Sequence, residues 1–161
     1  MSKFEPMLNT YQFIRRLSFS FSIAGLLLLI TSFIPVREAL TEDVFKYTNE
    51  FRRSKGMPAL VIRDDLNAIA RKHSEDMAKG RRSFGHGGYE QRESQIQKLI
   101  RPFSGMGENV AYGAGSGKEV VSLWKNSTVH RRNMLGNYKY IGIGTARDRR
   151  GFIYYTQIFV R

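Results

Sequence analysis

Twenty consecutive residues, Leu17 to Val36, carry no charge, and this run divides the chain. About 20 apolar residues are what a helix needs to cross a bilayer. Its centre, Ile23-Ala-Gly-Leu-Leu-Leu-Leu-Ile30, lacks the regularly spaced polar positions of an amphipathic packing helix. Lys3, Arg15 and Arg16 precede the run, while Pro35 and Arg37 close it. Basic residues ahead of such a segment keep the N-terminus inside and direct the downstream chain outwards. Residues 1–37 therefore read as a signal anchor or signal peptide, and residues 38–161 as an exported domain. Ile30-Thr31-Ser32 is a poor cleavage site, which favours the anchor. The predicted location is extracytoplasmic, either secreted or held at the membrane by the N-terminal segment.

The exported part contains no cysteine, so it has no disulfide, thiolate metal site or thiol nucleophile. Its stability must come from packing, and 42% hydrophobic residues supply the material for a core. The whole chain carries a net charge of +12. Only four of the 26 basic and one of the 14 acidic residues fall within positions 1–37, so the folded part keeps +9. Such a surface attracts anionic lipid headgroups, acidic polysaccharide or nucleic acid. Export argues against nucleic acid, and no arginine–aromatic platform of a nucleic-acid binder is recognisable.

Periodicity sets out the elements. Thr41 is placed to cap a helix running to about Lys55-Gly56, with Val44, Phe45, Tyr47, Thr48 and Phe51 as its packing stripe. Leu60-Val61-Ile62 reads as an apolar connector. Asp64 is placed to cap a second helix, Asp65 to Lys79, stopped by Gly80. Leu66, Ile69, Ala70, His73 and Met77 share one of its faces, so His73 is expected at a core boundary, hydrogen-bonded by a neighbour. A third helix is predicted for Tyr89 to Ile100, a strand for Glu108 to Tyr112, and a fourth helix for Lys118 to about Ser127. His130 to Leu135 reads as one helical turn. Tyr140 to Ala146 and Phe152 to Val160 form a β-hairpin around Arg147-Asp-Arg-Arg-Gly151. Helices followed by strands, without regular alternation, predict an α+β or layered fold.

Few residues are equipped for chemistry. His86 stands in the glycine-rich Gly85-His-Gly-Gly88, Glu108 opens a strand, and His130 follows a helix. Two histidines and a carboxylate suit a zinc-like ion with water completing the shell. The spacing matches no compact metal motif, so a hydrogen-bonded polar cluster is the simpler expectation. No serine lies in a G-x-S-x-G elbow, and Gly113-Ala-Gly-Ser-Gly117 lacks the Lys-Ser/Thr ending of a phosphate loop.

A series of segments occurs in a family order: Asn49-Glu-Phe-Arg-Arg53, Ala70-Arg-Lys-His-Ser-Glu-Asp-Met77, Phe84-Gly-His86, Gly107-Glu-Asn-Val-Ala111, Trp124, Ser127-Thr-Val-His-Arg-Arg-Asn-Met134, Tyr140-Ile-Gly-Ile-Gly144 and Tyr155-Thr-Gln157. Together they resemble the CAP superfamily of cysteine-rich secretory, antigen-five and pathogenesis-related proteins, in its cysteine-free bacterial form. The resemblance implies an α+β fold, a three-layer α–β–α sandwich with a central antiparallel sheet. It also implies a cleft of two histidines and two acids, which His86, Glu108 and His130 match in three places. Ser127 stands where the second acid is expected, and Asn109 and Ser127 are expected beside Glu108 in the cleft lining. The metal ligands implied are His86 and His130, for a divalent cation such as zinc. The family's habits imply an exported, non-enzymatic binding or effector module for a lipid, glycan or protein ligand. The alternative is a metal- or His/Glu-assisted hydrolase, protease-like, with Glu108 as general base and His130 positioning water or substrate.

Overall fold

Leu40, Val44 and Phe51 recur at helical spacing, and all three are buried along α1 (Val36–Ser54) in the computed structural model, which describes residues 36–161. The expected anchor or signal peptide, except for its last residues, lies outside the described residues. Among the described residues no helix is long and apolar enough to cross a membrane. α1 begins five residues before Thr41, the expected cap, because buried Leu40 carries the apolar stripe one turn further back.

After α1 come β1 (Val61–Ile62), α2 (Asp64–Ala78), α3 (Tyr89–Leu99), β2 (Met106–Tyr112), α4 (Gly117–Asn126), α5 (Thr128–Met134), β3 (Tyr140–Arg147) and β4 (Ile153–Val160). Several boundaries differ from the sequence reading; β2, for one, begins at Met106, so Glu108 lies inside the strand and does not open it. Asp64 lies inside α2; Arg63 takes the cap position and pairs with Asp65 at 2.6 Å. Ser116, not Lys118, marks the start of α4, its hydroxyl accepting from the Glu119 N–H. His130 is inside the seven-residue α5, which follows α4 with only Ser127 between them.

The strand order is β1-β3-β4-β2. β4 pairs antiparallel with both β2 and β3. The expected connector Leu60-Val61-Ile62 instead supplies β1, which joins β3 in parallel, Val61 opposite Tyr140. The sheet is therefore mixed, not wholly antiparallel. Two residues of chain cannot return to form a hairpin, but they can lie alongside a strand that arrives later.

Alternation along the strands separates two buried clusters. On one face, Ile141, Ile143, Tyr155 and Phe159 pack with Val44 of α1, Val120 and Trp124 of α4 and Met134 of α5. On the other, Ile158 and Val160 pack with Leu66 and Ala70 of α2 and Ile96 of α3. The result is a helix–sheet–helix sandwich. α2 lies directly on β3 because Gly142 and Gly144 leave room: a Cβ at Gly144 would stand 2.0 Å from the Arg71 nitrogen.

Candidate functional site

β2 is an edge strand, and its alternation sends neighbouring residues to opposite layers. Glu108 faces α2 and α3, whereas Asn109 faces α5. The site is built around this edge.

Glu108 is buried, and both oxygens of its carboxylate are engaged. Arg92 of α3 grips it with two bonds, Nε to Oε2 at 2.7 Å and Nη2 to Oε1 at 2.7 Å. His86 donates from Nδ1 to Oε1 at 2.9 Å. A two-bonded guanidinium–carboxylate pair is among the stronger charge-assisted contacts. It also neutralises a charge that burial would otherwise make costly.

Because the His86 Nδ1 proton goes to a carboxylate, Nε2 is the nitrogen left for a ligand. The His86 side chain is half exposed, so it stands at the mouth of the site with Glu108 behind it. Gly88 caps α3 in a left-handed conformation, φ 74°, which turns the loop carrying His86 back over β2.

Arg92 holds more than Glu108. Its Nη1 donates to the Gly87 carbonyl at 2.9 Å and to His73 Nδ1 at 3.2 Å. His73 in turn donates from Nε2 to the Gly85 carbonyl at 2.9 Å. These two bonds assign His73 as the neutral Nε2–H tautomer. Burial first, and the Arg92 charge second, push its pKa below the ordinary histidine value. His73 is thus a buried strut between α2, α3 and the His86 loop, at the core boundary where its helical spacing placed it.

Arg92 is the residue that the sequence reading missed. Its signal was positional. Tyr89, Arg92, Ile96 and Ile100 share one helical face, and Arg92 occupies a position at which the pattern calls for an apolar residue.

On the opposite side of β2, Asn109 fastens α5. Its Nδ2 donates to the His130 carbonyl and to Gln157 Oε1, both at 3.2 Å. Asn133 Nδ2 donates to the Glu108 carbonyl at 3.0 Å and to Asn109 Oδ1 at 2.9 Å. Gln157 completes the chain by donating to the Thr48 hydroxyl of α1 at 2.7 Å. Arg52 ties down the far end of α5, Nη1 donating to the carbonyls of Met134 at 2.7 Å and Gly136 at 2.9 Å.

The His130 ring is partly buried. Burial first, and the neighbouring His86 second, lower its pKa below the ordinary histidine value, which favours a neutral imidazole with a free lone pair. The half-buried Ser127 forms the α4–α5 junction without a side-chain capping bond.

Among the described residues no group of three or more His, Cys, Asp or Glu side chains is arranged to hold a metal ion. Glu108 already accepts from a guanidinium and an imidazole, so its carboxylate is committed to partners within the protein. Ser74 is buried and bonded to the Gly144 carbonyl and the Thr156 hydroxyl, away from solvent.

The family model described as CAP, the cysteine-rich secretory protein family, matches residues 45–159. The uncharacterized protein YkwD of Bacillus subtilis is 34% identical over 109 residues, covering 66% of this chain and 42% of that protein. A crystal structure of an extracellular SCP-domain protein from Bacillus anthracis is similar with a TM-score of 0.65 and 28% identity, covering 78% of this chain and 41% of the other. An outer surface protein of Borrelia burgdorferi shares the fold, with a TM-score of 0.63 and 22% identity, covering 74% of this chain and 92% of that protein. The chain thus spans about two fifths of the length of the two Bacillus proteins.

Proposed function

The chain belongs to the CAP, or cysteine-rich secretory protein, family, and from that premise we propose that it works outside the cytoplasm as a non-enzymatic binding module whose cleft accepts a divalent cation such as zinc on His86 and His130. The observation that carries this reading is the double grip of Arg92 on Glu108, with His86 on the same carboxylate. A general base needs an oxygen free to take a proton from water or substrate. Arg92 and His86 already fill three of the roughly four acceptor sites of Glu108, which counts against it as the base of the hydrolytic alternative.

The same carboxylate suits an orienting role. A ligating histidine is commonly held by a carboxylate on its other ring nitrogen, which sets the tautomer and the ring direction. Glu108 would do this for His86, and the Asn109 bond to the His130 carbonyl would fix the second donor from the α5 side. Two imidazoles with waters make a weaker site than a three- or four-residue shell. Exchangeable binding, not a structural metal, is the expectation. We further propose that residues 1–37 deliver the domain across the membrane and tether it there, placing the cleft at the envelope surface.

The test titrates the full-length chain, solubilised in detergent, with zinc against a competing fluorescent chelator. One zinc should bind, and the double change His86→Ala/His130→Ala should abolish binding while the chain stays folded. The same preparation is assayed against casein and simple esters, with and without chelator. No zinc uptake by the wild type would overturn the cation site. Turnover lost in His130→Ala would overturn the non-enzymatic reading.

A further inference from the structure

Beyond the cleft, the face of the sheet that carries Glu108 holds three aromatic rings. Tyr112 ends β2, Tyr154 lies opposite it on β4, and Phe84 reaches them from the loop that also carries His86. The two tyrosine rings lie near-parallel with centroids 5.6 Å apart. Phe84 meets them edge-on at 5.0 Å and 6.4 Å. Phe84 is 50% exposed and Tyr112 54%, so the cluster is packed within itself but open above. Ordered, contiguous aromatic surface left uncovered by the described residues marks a binding surface more often than chance exposure.

The charge beside it is one-sided. The β3–β4 hairpin adjoining Tyr154 exposes Arg147, Arg149 and Arg150. Its one carboxylate, Asp148, is already used, Oδ1 accepting the N–H groups of Arg150 and Phe152 at 2.9 Å each. None of these arginines has a carboxylate partner among the described residues, and Arg150 instead lies over the Phe152 ring at 4.8 Å. The occupant must therefore offer flat, partly apolar units for the rings and negative charge for the hairpin.

We propose that Phe84, Tyr112 and Tyr154 form a stacking platform for the sugar rings of an acidic polysaccharide, whose carboxylates or phosphates pair with Arg149 and Arg150. The C–H face of a pyranose lies against an aromatic ring, while the sugar hydroxyls reach the two tyrosine hydroxyls at the rim. Guanidinium groups then read the anionic substituents. An anionic membrane fits less well: surface insertion typically uses the apolar face of an amphipathic helix, whereas these rings are packed on one another on strands and a loop. Four residues of strand separate Tyr112 from Glu108, about 13 Å, so a glycan on the platform could extend towards His86. The proposal rests on the reading of this domain as a binder, but not on the cation site.

The experiment uses the full-length chain and polygalacturonate, with neutral dextran as control. Parallel samples meet vesicles of equimolar phosphatidylglycerol and phosphatidylcholine. Binding to polygalacturonate should fall by roughly tenfold or more in Phe84→Ala/Tyr112→Ala, a change that leaves the net charge untouched. Arg149→Ser/Arg150→Ser should weaken binding and flatten its salt dependence. Tyr112→Phe should keep most of the affinity, since the ring remains. Melting temperature and zinc uptake, measured on every variant, should not change, which separates failure of the platform from failure of the cleft. Equal affinity in the aromatic double variant would reduce binding to net charge and overturn the proposal. So would binding to the vesicles but not to polygalacturonate.

Discussion

Replacing Arg92 by methionine tests the keystone role of this guanidinium. In the native fold Arg92 is 7% exposed and Glu108 4%. Methionine keeps much of the side-chain length but removes both bonds to the carboxylate, the bond to His73 Nδ1 and that to the Gly87 carbonyl. What remains, among the described residues, is a buried carboxylate with one side-chain hydrogen bond, from the half-exposed His86. Removing one member of a buried ion pair typically costs about 3–5 kcal/mol. For a folded unit of this size that corresponds to a melting temperature lower by on the order of 10–20 °C. The pairing itself is isolated by a cycle with Glu108→Met and the double variant. Replacing both partners removes the orphaned charge, so the double variant should be more stable than Arg92→Met alone. The assay is urea unfolding followed by emission from Trp124, the single tryptophan, which is 1% exposed in the core against α1 and β2. A loss below about 1 kcal/mol for Arg92→Met, or a double variant as unstable as the sum of the two singles, would refute the reasoning.

Gly144→Ala should destabilise far more than a surface substitution. Its Cβ would meet the Arg71 nitrogen at 2.0 Å and the Ala70 carbonyl carbon at 2.2 Å, both backbone, so α2 would have to move off β3. Overpacking of this kind typically costs about 1–3 kcal/mol or more, read from the urea midpoint, and an unchanged midpoint would contradict the close approach. His73 supplies a pH test. Its folded pKa lies below its unfolded value of about 6.5, so the unfolded chain binds a proton first as pH falls. The stability associated with neutral His73 is therefore full above about pH 6.5 and declines as pH drops from there towards the folded value. Melting temperatures measured between pH 7.5 and 5 on the wild type and His73→Gln should show a shallower decline in the variant; parallel curves would count against the assignment.

Much of this architecture was legible in one dimension. The hairpin of β3 and β4, the helix carrying His73, and the glycine-bracketed His86 follow from periods of 2 and 3.6 and from turn residues, all local properties. The ordered segments from Asn49 to Gln157 pointed to the family. The starts of α1 and α2 were less legible, because the burial of Leu40 depends on partners distant in sequence and the Arg63–Asp65 pair lies outside the capping pattern. β1 was not legible at all: two residues have no measurable period, and only the arrival of Tyr140 and Ile141 makes Val61 and Ile62 a strand.

The site divides along the same line. The amino-acid sequence by itself determined that the chain has no thiol chemistry, has few histidines and one matching carboxylate, and lacks an acid at Ser127. Only tertiary structure decided what Glu108 contacts. Its partners are 16 and 22 residues away, on a helix and a loop, and the edge strand turns Glu108 to one layer and Asn109 to the other. A side chain's chemical identity is written in its own position, but its free lone pairs depend on which neighbours the fold brings to it. Arg92 takes two of the acceptor sites of Glu108 and His86 a third, a set of contacts that no local pattern in the sequence announces.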